Sequence, residues 1–386
     1  MRILLVQPSL NPPGGGNLVA CWMLEALRDE HQLSVLTWCP PEIDACNRFY
    51  GTTLRSDDFE LHLAPQVAKR LIDLVPLPLR FLKDSLLYRY CKAVGADYDL
   101  IIATNNETDL GRRGIQYVHF PRLELDRPAH ERRWYNSPRS LAAAYVNVCN
   151  RLARYSPQRM TANLTLTNSA WTARRVRALH GSATTVLYPP VPGTFPSLPW
   201  EERDDGFVAI GRWSPEKRFG RIIDTIAAVR AAGRNIRLHI IGTPGPPQYT
   251  RAVRRRVAEN AEWVSLHENL DRDALLQLVA RQRYGIHCMP DEHFGIAVAE
   301  MIRAGCIVFV PNQGGPAEIV GQHAPLLFAS PAEATKKILA ALTDENLSAS
   351  VRAHLAQRAQ LFSCDNFVAQ LRDIVRHFRY GGPAGW

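Results

Sequence analysis

The sequence predicts an α/β chain made of two doubly wound halves, each a parallel sheet with helices on both faces. Three observations carry this. Short apolar runs alternate with helix-periodic segments along most of the chain, which is the pattern of βαβ units rather than hairpins. The alternation halts at Tyr188–Gly206, "YPPVPGTFPSLPWEERDDG", a proline-rich polar stretch, and then restarts. The chain has 386 residues, whereas single domains run to roughly 150–200 residues, so two cores are expected.

Taken in order, "RILLVQP" reads as a buried first strand, "NLVACWMLEALRDEH" as a helix and "LSVLTW" as a second strand. "DLIIATN" and "IQYVHFP" read as strands separated by a loop. "NLTLTNS" is a strand after a basic helical segment, "WTARRVRALHG" a helix closed by glycine, and "ATTVLYPPV" a further strand. Beyond the proline-rich stretch the strands are "GFVAIGRW", "IRLHIIG", "WVSLHE", "YGIHCMP" and "CIVFVP", with helices between them. The expected domains are therefore 1–187 and 207–365, joined by a linker at 188–206. A terminal helix at 366–386 is expected to pack back on the N-terminal domain. In open α/β sheets ligands bind beyond the carboxyl ends of the strands, and in two-domain versions in the cleft between the domains.

Composition narrows the function classes. With 46% apolar and 22% charged residues and no low-complexity tract, the chain reads as globular. No run approaches the roughly 18 apolar residues of a spanning helix. The opening "MRILLVQPSLNPPGG" reads as a strand rather than a secretion signal. Eight cysteines lack paired spacing, which suggests reduced thiols and a cytoplasmic setting. The net charge of +9 is uneven: residues 61–186 hold 19 Lys and Arg against 9 Asp and Glu, while residues 1–60 hold 4 against 8. A basic middle section suits an anionic partner, either a phosphate-bearing substrate, an anionic lipid surface or nucleic acid; a solvated basic face is the plain alternative.

Four constellations carry chemistry. In "MPDEHFGIAVAEMIRAG", Glu292 lies in a strand-to-helix loop and Glu300 about five residues into the following helix, roughly 7–8 Å further along at ~1.5 Å per residue. At that separation the two acids do not form an acid–base dyad; they can grip two hydroxyl-bearing parts of one extended ligand, with the helix N-terminus as a seat for an anion between them. The plainer reading makes them ordinary charges on an amphipathic helix, although Glu300 falls in a mostly apolar segment. In "AIGRWSPEKRFG", Arg212 and Lys217 follow a buried strand, and two fixed cations there suit a diphosphate leaving group; surface cations are the alternative. In "QPSLNPPGGGNLVA", Gly14–Gly16 allow a close approach of backbone to phosphate, or simply a tight turn, and the pattern is neither a G-x-G-x-x-G nor a Walker loop. In "YVHFP", His119 ends a strand and is either cleft-facing or structural.

Together these pieces resemble a retaining glycosyltransferase of family 4 with the GT-B fold, two doubly wound Rossmann-like domains facing a central cleft. "EHFGIAVAE" is similar to that family's E-x7-E motif, "GRWSPEK" to its phosphate segment, "PPGGG" to its N-terminal glycine loop and "NSAWTARRV…VLYPPV" to its interdomain region. "QYVHFP" and "EHFGI" with "GGP" look like the lipid-linked oligosaccharide α-1,2-mannosyltransferases in particular. The resemblance implies transfer of a hexose, mannose from GDP-mannose being favoured, to a hydroxyl of a glycan or lipid-linked acceptor in polysaccharide or glycolipid assembly. It implies that Glu300 holds the donor ribose, that Glu292 contacts the donor sugar, and that Phe294, Gly295 and Ile296 offer backbone donors. It implies further that Arg212 and Lys217 stabilise the diphosphate, that Gly15 and Gly16 approach it, that His119 sits near the sugar, and that Glu292, His119, Arg212 and Lys217 form the catalytic set. The family needs no metal or other cofactor, and the sequence has no D-x-D and no His/Cys cluster at ligand spacing. No carboxylate nucleophile for double displacement is evident in the N-terminal half, so front-side attack is implied.

The acceptor is expected on the N-terminal half, where "VAKRLIDLVPLPLRFLKDSLLYRYCK" and "ERRWYNSPRSLAAAYVNVCNRLARY" interleave basic with apolar and aromatic residues, a pattern for peripheral contact with an anionic membrane or for helices packed on the sheet. Alternatives are a UDP- or ADP-sugar donor, a non-transferase GT-B enzyme such as a nucleotide-sugar epimerase or a phosphorylase, and a nucleic-acid-binding module. The last predicts aromatic platforms among clustered cations and no diphosphate site.

Overall fold

The computed structural model describes residues 1–74, 79–121 and 139–379. They divide into two compact units, Met1–Pro190 together with the described residues from Cys364 onward, and Val191–Ser363. The chain passes from one unit to the other at 190–191 and again at 363–364.

The N-terminal unit contains strands β1 (Arg2–Val6), β2 (Gln32–Thr37), β3 (Glu60–Leu63), β4 (Leu100–Ala103), β5 (Ile115–Val118), β6 (Leu164–Thr167) and β7 (Thr184–Val186), in the spatial order β3-β2-β1-β4-β5-β6-β7. Every pairing is parallel. The central strands β4 and β5 are buried at every position, as expected for a sheet covered on both faces. β3, "ELHL", has no buried residue; it is an edge strand without an apolar run, which is why the sequence reading passed over it. β4 and β5 pair in parallel across a loop, 104–114, that contains no helix. Buried polar residues Thr104, Asn105, Glu107, Thr108 and Asp109 build this loop, and side chains rather than a crossover helix satisfy its backbone. For example, the Thr108 N–H donates to Gln116 Oε1 at 2.9 Å and the Gly114 N–H to Asn163 Oδ1 at 2.9 Å. The helix Cys364–Arg379 packs on the helix Gly15–Leu27: Arg372 Nε donates to Ala26 O at 2.7 Å.

The C-terminal unit contains β8 (Asp204–Ile210), β9 (Arg237–Gly242), β10 (Val264–Glu268), β11 (Gln282–Ile286), β12 (Ile307–Pro311) and β13 (Leu327–Phe328), in the order β10-β9-β8-β11-β12-β13, again all parallel. Strand order reverses direction between β8 and β11, so the unit's topological switch point lies between these two strands. β12, "IVFVP", is wholly buried and carries Phe309, one of the largest fully buried side chains. The eight cysteines are all free thiols.

Candidate active site

In the C-terminal unit the loops after β8 and β11 leave the sheet side by side at the switch point. β8 leads through Gly211 and Arg212 into a single 3-10 turn, Pro215–Lys217, and then into the helix Phe219–Ala231. Gly211 has φ +155, and the stem of Lys217 passes over it where a Cβ would contact the lysine carbons at 3.4–3.6 Å. β11 ends at Ile286, earlier than the expected Pro290, and residues 287–295 form the loop before the helix Ile296–Arg303. Asp291 takes a left-handed φ of 54°, and Gly295, the N-cap, takes 106° with no side-chain cap. The first amides of that helix are therefore not satisfied by a side-chain cap.

These turns bring Glu292 and Lys217 into an ion pair, with His287 Nε2 3.5 Å from the same Glu292 oxygen. Glu292 keeps 18% of its side chain exposed. Burial pushes its carboxyl upward, but the Lys217 ammonium and the His287 ring more than offset this and hold it well below the usual carboxylate range. Burial in turn lowers His287, against the upward pull of Glu292, so at neutral pH the ring is uncharged. Arg212 is the exposed member of the group, with 66% of its side chain in solvent, and its nearest acid is Glu216 at 3.5 Å. Glu216 itself accepts a 2.6 Å hydrogen bond from Ser214 Oγ, which orients it.

Glu300 sits in the second turn of the helix Ile296–Arg303, buried to 10% side-chain exposure, and pairs with Arg272. Arg272 is the first residue of the helix Arg272–Ala280, capped by Asp271, and a second guanidinium nitrogen donates to Pro192 O at 2.6 Å. Glu292 and Glu300 thus engage different cations and do not meet. Phe294 has its side chain in the core, edge-on to Phe362 at 5.8 Å, which leaves only its backbone for a ligand. The "GGP" run holds the Glu292 loop from behind. The Gly315 N–H donates to Glu292 O at 2.7 Å, and a Cβ on Gly315 would lie 2.5 Å from Phe294 Cα and 2.6 Å from His293 O. A Cβ on Gly314, φ +85, would lie 2.8 Å from Glu292 O. Two glycines are required because backbone packs directly on backbone here.

In the N-terminal unit the glycine loop and His119 come together. Gly14 is the N-cap of the helix Gly15–Leu27, again with no side-chain cap. A Cβ on Gly16 would lie 3.3 Å from His119 Nε2. The loop is pinned by a chain of hydrogen bonds, Thr104 Oγ1 to Gln7 Oε1 at 2.8 Å, Gln7 Nε2 to Asn17 Oδ1 at 2.7 Å, and Asn17 Nδ2 to Asn11 O at 2.6 Å. The His119 N–H donates to Asn106 Oδ1 at 2.9 Å, and its Nε2 lies 3.1 Å from Thr104 O, which identifies Nε2 as the protonated nitrogen.

Arg272, His287 and the Ser214–Glu216 pair were missed in the sequence reading. Arg272 follows a clear helix start, Asn-Leu-Asp, that says nothing of a ligand; His287 sits in the apolar run "YGIHC" and looks like core.

Comparison with known proteins finds similarity in both sequence and fold. Residues 193–361 match the family model described as "Glycosyl transferases group 1". The GDP-Man:Man(3)GlcNAc(2)-PP-Dol alpha-1,2-mannosyltransferase of Mus musculus is 27% identical over 235 residues, 53% of this chain and 47% of that protein. The Homo sapiens protein of the same name is 30% identical over 179 residues, 42% of this chain and 36% of that protein. The chain thus spans about half the length, or less, of the curated relatives it matches. Among solved structures, Anabaena HepE in complex with UDP and glucose superposes with a TM-score of 0.66 at 17% identity, covering 97% of this chain and 99% of that one. Sucrose-phosphate synthase from Thermosynechococcus elongatus does so with 0.65 at 17% identity, covering 99% and 100%. Two parallel-sheet Rossmann-like units in this similarity are the GT-B fold. Residues 193–361 are thus similar to the glycosyl transferases group 1 family, and the likeness over nearly the whole chain to solved structures shows the fold.

Proposed function

We propose that the chain is a retaining hexosyltransferase that moves mannose from GDP-mannose to a hydroxyl of a glycan or diphosphate-linked lipid acceptor, forming an α-glycosidic bond. The observation that carries this reading is the Lys217–Glu292–His287 group beside an uncapped helix N-terminus at the switch point of the C-terminal sheet. The names of the curated relatives support mannose and a diphosphate-linked lipid.

Each residue then has a task. Lys217 and Glu292 neutralise each other in their ion pair. When the donor enters, Lys217 turns to the diphosphate, Arg212 joins it, and the amides at the start of the helix Ile296–Arg303 complete the anion seat. Glu292 accepts from hydroxyls of the sugar, for which its low-lying carboxyl is ionised throughout the working pH range. Glu300, held by Arg272, accepts from the ribose hydroxyls. On the N-terminal unit Gly15, Gly16 and His119 are the candidates for contact with phosphate and sugar.

The anomeric C–O bond to the diphosphate breaks while the acceptor oxygen bonds to the same carbon on the same face. The acceptor's proton passes to the departing diphosphate oxygen, so no enzyme nucleophile is consumed. Two fixed cations take up the charge that grows on the leaving group, and we propose that no metal ion is required for this.

Peripheral contact with an anionic membrane belongs to the same proposal. Among the described residues no helix is long and apolar enough to cross a membrane. The helix Gln66–Asp73 and the residue after it present Val67, Leu71 and Leu74, each between 62% and 78% exposed, next to Lys69 and Arg70. An apolar stripe flanked by cations suits the interface between head groups and acyl chains. Residues 75–78 and 131–138 of the two basic segments lie outside the described residues. Flotation with anionic liposomes at low salt should carry the protein upward, and an L71S/L74S variant should stay behind.

The donor is tested by thermal shift with GDP, UDP, ADP and their sugars. A ligand at 100 times its Kd stabilises by about 2.7 kcal/mol, so the guanosine compounds should stand out. A shift with uridine or adenosine compounds alone would replace the donor; no shift with any nucleotide would end the transferase reading.

A further inference from the structure

The C-terminal unit has a second basic concavity, a pocket of 180 Å³ at the carboxyl ends of β11, β12 and β13, whose lining includes Arg218, Arg221, Cys288, Pro290, Asn312 and Ser330. Two arginines line it, Arg218 half-buried and Arg221 exposed, and no acidic residue does. Arg218, with a left-handed φ of 55°, is the N-cap of the helix Phe219–Ala231, and Arg221 is three residues on, so both lie on one side of the first turn. Like charges at that spacing repel, and this pair is left uncompensated. Among the described residues neither side chain forms an ion pair or donates a hydrogen bond. Several other arginines of the unit are matched to acids, Arg212 with Glu216, Arg254 with Glu268, Arg256 with Asp224 and Arg283 with Asp205, whereas Arg234, Arg237, Arg251 and Arg281 form no ion pair among the described residues either and line no such pocket. The positive field reaches the pocket wall, where burial pushes the Cys288 thiol up to about 12 while both guanidiniums pull it back.

The pocket adjoins the donor residues in sequence but has a different lining. Arg218 follows Lys217, and Pro290 precedes Glu292 by two residues, yet neither Lys217 nor Glu292 lines the pocket. Its volume is below the roughly 300–1,000 Å³ of pockets that enclose a whole drug-sized ligand. It suits a compact head group.

We propose that this pocket is a second anion subsite, taking a phosphate or diphosphate group in addition to the diphosphate seat of Lys217 and Arg212. Arg218 and Arg221 supply forked donors matched to phosphate oxygens. The same chemistry is offered by the head group of an isoprenoid diphosphate and by free diphosphate or phosphate. The proposal rests on the pocket and stands whichever sugar nucleotide is used.

Inorganic diphosphate is titrated into the full chain by calorimetry, with the preferred nucleoside diphosphate at saturation so that the donor seat is filled. Wild type should bind one equivalent. R218Q/R221Q should bind it about tenfold or more weakly, since charge-assisted hydrogen bonds are lost, and R218K/R221K, which keeps the charge but loses the forked donors, should fall between wild type and R218Q/R221Q. Nucleotide affinity and melting temperature should match wild type in both variants, which separates loss of the subsite from misfolding. No diphosphate binding by wild type, or equal binding by R218Q/R221Q, would overturn the proposal. If no nucleoside diphosphate binds at all, the donor reading falls, and the comparison of wild type with R218Q/R221Q for diphosphate alone still decides the pocket. Farnesyl diphosphate binding more tightly than inorganic diphosphate assigns the subsite to a lipid head group; the reverse ranking assigns it to a free anion, and either ranking upholds the subsite.

Discussion

Asp109 in the N-terminal unit and Glu292 in the C-terminal unit are both carboxylates set among cations in loops, and they are built to opposite ends. Asp109, 1% exposed, accepts from Lys92 Nζ at 2.7 Å, from Arg159 Nε and Nη2 at 3.0 and 2.8 Å, and from the backbone of Gly111 and Ser156 at 2.8 Å each. Its four lone-pair directions are filled, so nothing remains for a ligand. Glu292 has one lysine and one histidine and keeps an open edge. Both carboxyls lie below their ordinary range, and in both burial works against that while neighbouring cations or donors prevail. A displaced carboxyl is therefore no guide to function here. What separates the two is saturation: a filled carboxylate holds the fold, a half-filled one has capacity for substrate.

The sharpest way to break this comparison is to remove each acid. Asp109→Ala strands the partly buried Lys92 and two backbone amides, and should cost about 3–5 kcal/mol of stability in urea unfolding, with nucleotide affinity unchanged. The pH dependence has a definite sign. Because the folded Asp109 carboxyl is lowered, its stabilisation is complete above an unfolded value of about 3.9 and is lost as pH falls through the lower folded value. The advantage of wild type over Asp109→Asn should therefore be flat from pH 5 to 8 and shrink only in strong acid. Slope in the neutral range would contradict the assignment.

Glu292→Ala should do the reverse, lowering turnover about 100-fold, the usual scale for a preorganised active-site contact, with a smaller loss of stability than Asp109→Ala. Turnover within about twofold of wild type would remove Glu292 from the site. The smallest effect is expected at Glu300, which grips a part of the donor remote from the reacting bond. Glu300→Ala should raise the donor KM about tenfold and change kcat little, the signature of uniform binding. A drop in kcat with KM unchanged would place Glu300 at the reaction centre instead.

Periodicity made the two-lobed parallel architecture legible because strands buried on both faces, such as "LIIA" and "IVFVP", must be continuous apolar runs. The elements it missed are those whose burial is partial. β3 lies at the sheet edge, and the helix Ile43–Tyr50 buries only Cys46 and Tyr50. The separation of Glu292 from Glu300 was readable from helical rise alone, since both acids belong to one short segment. Their partners were not, since Lys217 is 75 residues from Glu292 and Arg272 is 28 from Glu300.

Sequence order alone thus established which residue types stand at the carboxyl ends of the strands, because strand, turn and helix propensities act over a few neighbouring residues. Which cation meets which acid was set by the strand order β10-β9-β8-β11-β12-β13, which puts the loops after β8 and β11 side by side though some 75 residues part them. Electrostatic pairing depends on distance in space, falling off within a few ångströms to nanometres of separation, and no local pattern along the chain encodes that distance.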